Sequence, residues 1–162
     1  GRFGYAKNFD SIPEICKNII SKGIHIKWNI IGYGNDEQLI RQKIIEFKVT
    51  ENVFILGKKK NPYPYIKACD FYIQPSRFEG KSVTVREAQI ISKPVIISNY
   101  KTSASQIKHE YDGFIVSQDN HICADQVGSI IKNRKLVNQV IQNCKNSNFD
   151  SSQEIEKIER FI

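Results

Sequence analysis

The 162-residue sequence lacks the features that mark membrane-spanning and disulfide-stabilised proteins. No stretch approaches the roughly 18 consecutive apolar residues of a transmembrane helix, and no signal-peptide pattern opens the chain. The four cysteines are widely scattered without a CxxC motif, which argues against a zinc site and against a compact disulfide framework. We therefore expect a protein of the reducing cytoplasm.

Metal-binding and nucleic-acid-binding motifs are also lacking. The three histidines share no metal-ligand spacing, so we assign no metal role. The formal charge of +7 would suit nucleic acid, an anionic membrane surface or a phosphorylated ligand. The only tight basic cluster, Lys58-Lys59-Lys60, is interpreted as a solvated loop, with attraction to a membrane left open. Aromatic residues do not alternate with the basic ones, which disfavours nucleic acid.

Strand-like and helix-like segments alternate along the chain. The strand patterns cover residues 27–31, 52–57, 70–75, 94–98 and 113–116. Apolar residues recur with helical spacing between them, and this alternation predicts a single α/β domain, a Rossmann-like parallel sheet with helices on both faces. The opening residues GRFGYAKNFD have no strand before them, so we expect the first strand to be missing or very short. The charged, amphipathic stretch at 151–162 predicts a terminal helix.

One loop in the stretch PSRFEGKSVTVREAQIISKPVIIS carries a candidate functional carboxylate. Glu79 follows a predicted parallel strand, at the edge where open α/β sheets bind their ligands. Gly80 lets the backbone approach a ligand closely, and Lys81 and Ser82 open a helix whose free N–H groups suit a phosphate. The alternative is a solvated loop carboxylate without a ligand.

The helix that follows carries a second carboxylate, Glu87. At 100° per residue, the apolar stripe of this helix is Val83, Ile90 and Ile91, and Glu87 falls between them. A carboxylate in that place must be hydrogen-bonded or paired, because burying a bare charge is costly. A helix rotated so that Glu87 reaches its rim is the alternative interpretation.

The glycine pair in Gly32-Tyr33-Gly34 is only a partial dinucleotide fingerprint. The third glycine of that pattern would fall at position 37, which is Glu37. An NAD-dependent oxidoreductase is therefore disfavoured.

The run SRFEGKSVTVREAQIISKPVI resembles the nucleotide-sugar-binding domain of the family 4 glycosyltransferases, retaining enzymes with a GT-B fold. The family signature is a Glu, seven residues and a second Glu, and here EG, EA and KPV are all in register. The resemblance extends from Gly1 to about Val140 and implies the C-terminal half of a two-domain enzyme. By this resemblance Glu79 contacts the donor sugar and Glu87 holds the ribose hydroxyls.

The resemblance also assigns roles to basic residues at the start of the chain. Gly1-Arg2 and Lys7 match a glycine–arginine pair and a lysine that grip the donor diphosphate in the family. The implied catalytic residues are thus Glu79, Arg2 and Lys7, with positive charge in place of a metal ion and with no cofactor. The implied donor-binding residues are Glu87, Gly80, Lys81, Ser82, Gly34, Leu56, Gly57 and Lys58.

The implied reaction is transfer of a sugar from a nucleotide-diphosphate donor, with retention at the anomeric carbon, in bacterial surface polysaccharide or glycoconjugate synthesis. The expected partners are the nucleotide-sugar donor and an N-terminal acceptor domain that this sequence does not contain, with contact at the inner membrane face left open. We therefore expect a donor-binding domain that is inactive alone. A non-catalytic nucleotide- or sugar-phosphate-binding module is the alternative.

Overall fold

Short buried strands rich in β-branched residues form the centre of the molecule. This computed structural model describes residues 1–147 and 149, and within them seven strands are present. They are β1 (Arg2–Phe3), β2 (Trp28–Ile31), β3 (Tyr33–Gly34), β4 (Val53–Gly57), β5 (Tyr72–Gln74), β6 (Val95–Ser98) and β7 (Phe114–Val116). Every pairing among them is parallel: β1 with β3, β2 with β4, and β6 between β5 and β7. The predicted parallel α/β fold is confirmed.

The helices lie on both faces of these strands. They are α1 (Ile12–Ile20), α2 (Glu37–Glu46), α3 (Tyr63–Ala68), α4 (Val83–Ile90), α5 (Ser103–Gln106), α6 (Asn120–Lys132) and α7 (Arg134–Asn146), with 3-10 turns at Tyr5–Lys7 and Phe9–Ser11. Strand β6 shows the two faces directly. Ile96 belongs to the core under α1, α2, α6 and α7, whereas Val95 and Ile97 belong to the core under α3 and α4. A strand buried on both faces explains why this segment is continuously apolar.

A two-residue strand, β1, lies within the opening residues and close to the glycine turn at β3. A Cβ on Gly32 would lie 2.1 Å from the carbonyl oxygen of Gly1. A Cβ on Gly34, whose φ is +152°, would lie 2.3 Å from the carbonyl oxygen of Phe3. Any larger residue would push β1 away, so both glycines are required by strand packing.

The buried face of helix α4 differs in part from the one predicted. Val83 is 55% exposed, whereas Val85 and Ala88 are fully buried against the second core. Gln89, which is not part of the predicted apolar stripe, is also fully buried, and its Nε2 donates to the carbonyl oxygen of Asp112 at 3.0 Å. The predicted stripe was therefore wrong at Val83, which lies roughly 160° around the helix from Val85, whereas Ile90 and Ile91 pack against the second core as predicted.

Two further findings bear on the sequence predictions. The amphipathic stretch at 151–162 lies outside the described residues. Among the helices that the structure describes, none is long and apolar enough to cross a membrane.

Candidate active site

The loops that follow β1, β5, β6 and β7 meet at the carboxyl edge of the strands. The backbone N–H of Arg77 donates to the carbonyl oxygen of Ala6 at 2.9 Å. The hydroxyl of Thr102 donates to the carbonyl oxygens of Glu79 and Gly80, at 2.6 and 3.1 Å. This is the edge at which open α/β sheets bind their ligands.

Glu79 lies in this group of loops with its carboxylate held on one side. Its Oε1 forms an ion pair with the Nζ of Lys7 and accepts hydrogen bonds from Ser76 Oγ at 3.0 Å and Gln74 Nε2 at 3.2 Å. The Glu79 side chain is only 12% exposed. Among the residues described, the structure gives Oε2 no partner, so one carboxylate oxygen can still accept a hydrogen bond from a ligand.

The structure brings together some of the predicted catalytic residues and leaves one apart. Lys7 ends the first 3-10 turn and reaches Glu79 across 72 residues of sequence. Arg2 lies on β1 and is exposed. Within the described part of the chain, no contact joins Arg2 to Lys7 or Glu79. The charge of Lys7 is balanced by Glu79, so an anionic ligand would have to compete for it.

The prediction that Glu87 is buried and hydrogen-bonded is confirmed. Glu87 is 9% exposed, and its Oε1 accepts a hydrogen bond from the hydroxyl of Tyr63 at 2.9 Å. Tyr63 begins α3 and is itself buried. The tyrosine therefore orients the carboxylate from the side of the second core. The sequence carried no signal for this partner, because a tyrosine beside a proline is equally typical of packing.

The backbone N–H of Ser82 was predicted to be free for a phosphate, and this prediction is wrong. That N–H donates to Gln106 Oε1 at 3.2 Å, and Gln106 Nε2 donates back to the Ser82 carbonyl oxygen at 2.6 Å. The Ser82 hydroxyl donates to Gln74 Oε1 at 2.9 Å. Ser82 is thus a buried residue at the start of α4, positioned by a glutamine from α5 that sequence reasoning missed.

Gly80 and Lys81 keep the exposure that their predicted role requires. Both are exposed, and a Cβ on Gly80 would meet no atom within 4 Å. Protein packing therefore does not require glycine at this position, in contrast to the glycines of the β3 turn. The open space leaves room for a ligand to approach the backbone.

The predicted nucleotide-binding positions at the end of β4 and just after it lie next to the glycine turn at β3, which contains Gly34. Leu56 is half-buried, and Gly57 has a φ of +72°, a conformation that favours glycine. The Nζ of Lys58 lies 4.9 Å from the ring centroid of Tyr33, so part of the basic loop packs on an aromatic ring.

A second charged cluster, which sequence reasoning missed, lies beside the Glu79 loop. Both Nη atoms of Arg77 donate to Asp10, each at 3.0 Å, and Lys43 Nζ lies 3.5 Å from Asp10 Oδ2. Burial by itself would raise the pKa of the Asp10 carboxyl, but the hydrogen bonds and charge of Arg77, with the charge of Lys43, lower that pKa overall.

The same cluster lines a polar cavity of about 420 Å³. The lining also includes the exposed aromatic rings of Tyr5 and Phe78. None of the predicted site residues Lys7, Glu79 and Glu87 lines this cavity. No group of three or more His, Cys, Asp or Glu side chains within residues 1–147 and 149 could hold a metal ion.

Comparison with known families identifies the chain. The family model described as "Glycosyl transferases group 1" matches residues 1–147. The chain belongs to this family. Among curated relatives, the amylovoran biosynthesis glycosyltransferase AmsD of Erwinia amylovora is 28% identical over 137 residues, covering 84% of this chain and 38% of AmsD.

Solved structures of glycosyltransferases share the fold. S. aureus TarM, a GT-B glycosyltransferase solved in complex with UDP, superposes with a TM-score of 0.84 at 21% identity, over 99% of this chain and 33% of TarM. The C-terminal domain of the group 1 glycosyltransferase LpcC of Francisella tularensis superposes with a TM-score of 0.76 at 21% identity, over 89% of this chain and 78% of that domain. The chain spans about two fifths of AmsD and one third of TarM.

Proposed function

We propose that this chain is the donor-binding domain of a retaining, family 4 glycosyltransferase that binds a nucleotide-diphosphate hexose. The arrangement of the two carboxylates carries the proposal. Glu79 is paired with Lys7 in an open loop, and Glu87 is buried with one oxygen oriented by Tyr63. Two differently held carboxylates at the carboxyl edge of a parallel sheet suit a ligand with two sets of hydroxyl groups, one on a sugar and one on a ribose.

The proposed roles follow from this arrangement. Glu87 accepts the ribose hydroxyls, while the free oxygen of Glu79 accepts from the transferred sugar beside the open backbone at Gly80. Lys7 and Arg2 stabilise the negative charge that develops on the leaving diphosphate, without a metal ion or cofactor. Lys81 adds positive charge at the exposed start of α4. The other proposed nucleotide contacts are Gly34, Leu56, Gly57 and Lys58.

The relatives guide the choice of donor and pathway. TarM was solved with UDP, and AmsD acts in the synthesis of a polysaccharide, amylovoran. We therefore take a UDP-sugar as the first donor to test and place the reaction in surface polysaccharide or glycoconjugate synthesis, in the cytoplasm at the inner face of the membrane. The relatives are much longer than this chain, so we assign acceptor recognition to a separate N-terminal domain and expect no transfer by the isolated chain.

A thermal-shift titration with UDP, GDP, ADP and their sugar conjugates tests the proposal. A nucleotide at ten times its dissociation constant should stabilise the fold by about 1.4 kcal/mol. We expect one base to give the largest shift and Glu87→Ala to abolish it. Glu46→Ala, which changes an exposed glutamate on α2, is the matched control and should leave the shift intact. The proposal fails if no nucleotide shifts the folded domain, or if both variants behave alike.

A further inference from the structure

The side chain of Arg77 joins its own loop, after β5, to the turn that follows β1. Its side chain is 23% exposed and that of its partner Asp10 is 14% exposed. The two side chains form a bidentate pair, with Nη1 to Oδ1 and Nη2 to Oδ2 both at 3.0 Å. Nη1 also donates to the carbonyl oxygen of Tyr5 at 2.7 Å, and the guanidinium lies 4.5 Å from the Tyr5 ring centroid. One side chain therefore satisfies two points on the turn that follows β1.

The main chain of the same loop binds the same turn. The backbone N–H groups of Arg77 and Phe78 donate to the carbonyl oxygen of Ala6 at 2.9 and 3.3 Å. Behind the loop, Gln118 Nε2 donates to the carbonyl oxygen of Arg77 at 3.1 Å. The turn is thus held at residues 5, 6 and 10, on both sides of Lys7.

Lys7 lies between the points of the turn that these contacts hold. The next residue, Asn8, has a φ of +56°, so the chain reverses sharply just after Lys7. Arg77 contacts Tyr5 before this reversal and Asp10 after it. At the other end, Arg77 lies two residues before Glu79, the ion-pair partner of Lys7.

Arg77 is not itself available to an anionic ligand. Its fork is occupied by Asp10, and Lys43 adds a second positive charge 3.5 Å from the same carboxylate. A lysine in place of Arg77 could reach one Asp10 oxygen, but it lacks the planar fork that contacts both oxygens and the Tyr5 carbonyl together. The geometry is that of a clamp between two protein segments.

We infer that Arg77 is a positioning residue that holds Lys7 in place for the diphosphate of the donor. The inference rests on the proposed function, in which Lys7 grips that diphosphate. Because Arg77 acts on Lys7 and has no contact with Glu87, its loss should weaken recognition of the second phosphate while recognition of the nucleoside is retained. A general loss of stability would weaken both.

Calorimetric titration with UMP and UDP separates these outcomes. We expect Arg77→Gln to reduce the preference for UDP over UMP by at least about tenfold, while the dissociation constant for UMP changes less than about twofold. Arg77→Lys should restore part of the preference. Arg41→Gln is the matched control, because Arg41 forms an exposed pair with Glu37 on α2, and it should leave the preference unchanged. An unchanged preference in folded Arg77→Gln overturns the inference.

Hydrogen exchange on the ligand-free protein gives an independent readout. The N–H of Lys7 donates to the Gly4 carbonyl oxygen at 2.9 Å and should exchange faster in Arg77→Gln, while the buried strand β6 keeps its wild-type rates. If wild type binds neither nucleotide, the proposed function fails and these rates alone decide whether Arg77 holds the turn. If Arg77→Gln does not fold, Asp10→Asn replaces it under the same criteria. Wild-type exchange at Lys7 in the folded variant overturns the inference.

Discussion

The carboxylate of Glu79 is held by one distant residue, Lys7, and by two polar side chains of its own strand and loop, whereas that of Glu87 is placed by its helix. Glu79 lies in a loop, and its Oε1 is shared by Lys7, Ser76 and Gln74. Glu87 lies on α4, between residues that pack on the second core, and it accepts from the hydroxyl of Tyr63. One position depends on assembled loops and the other on helical geometry.

This difference separates adjustable from rigid parts of the proposed site. The ion pair of Glu79 can exchange partners when an anionic ligand reaches Lys7, since both side chains retain some solvent access. Glu87 has less freedom, because it is buried and its carboxylate accepts a hydrogen bond from the hydroxyl of Tyr63. We therefore associate Glu79 with the chemical step and Glu87 with binding of the nucleoside.

The largest expected effect is a kinetic difference between substitutions of the two carboxylates, measured in a longer protein that contains this domain. Glu79→Ala should lower kcat at least about 100-fold with little change in donor affinity, because the sugar and Lys7 lose their common partner. Glu87→Ala should mainly raise the KM for the donor, because it removes a contact made before the transition state. Steady-state kinetics measures both, with Glu46→Ala as the control. A non-catalytic binding module would have no turnover to lose, and equal effects on kcat would remove the distinction between the two carboxylates.

A second prediction concerns Gln106, which holds the start of α4 between the two carboxylates. Gln106→Ala leaves the Ser82 N–H and the Tyr100 hydroxyl without the Oε1 acceptor that both now use. Burying two unsatisfied donors should lower the free energy of unfolding by about 2–3 kcal/mol. Urea denaturation measures this loss, with the exposed Gln42→Ala as the control. A loss no larger than that of the control would show that the glutamine does not hold the helix start.

Tyr63→Phe should have a smaller effect, confined to the Glu87 side of the site. The change removes the hydroxyl that donates to Glu87 and keeps the ring in the second core. We expect the free energy of unfolding to fall by about 1 kcal/mol, typical of one buried hydrogen bond. Urea denaturation of Tyr63→Phe and of Tyr65→Phe makes the comparison, because Tyr65 is 41% exposed. An equal response of the two variants would contradict a role for Tyr63 in orienting Glu87.

The smallest expected effect is a pH dependence of folding stability, which arises from Asp10 beside the Glu79 loop. Burial would raise the pKa of Asp10, but Arg77 and Lys43 lower it below its ordinary value of 3.8. Because the pKa of Asp10 is lowered in the folded state, its carboxylate stabilises the fold above pH 3.8. This contribution is lost as the pH falls through the folded-state pKa. The stability difference between wild type and Asp10→Asn should therefore shrink in acid, as measured by urea denaturation across the pH range. A difference that stays constant below pH 3.8 would contradict the ion pair.

Local pattern by itself determined the parallel α/β architecture and the burial of Glu87. Apolar runs and helical spacing act over a few residues, so the strands were predicted close to their observed positions and Glu87 was predicted to need a partner. The same local pattern chose Val83 for the buried face of α4, because it cannot detect how a short helix rotates on its sheet.

Only the tertiary structure decided which side chains meet at the carboxyl edge. Lys7 contacts Glu79 across 72 residues, Arg77 contacts Asp10 across 67, and Gln106 occupies the Ser82 N–H across 24. These contacts form because parallel strands carry distant loops to one edge, and each loop has polar groups that must be satisfied where they meet. Spacing along the chain contains no information about such partners, so the sequence could identify both carboxylates but not the residues that hold them.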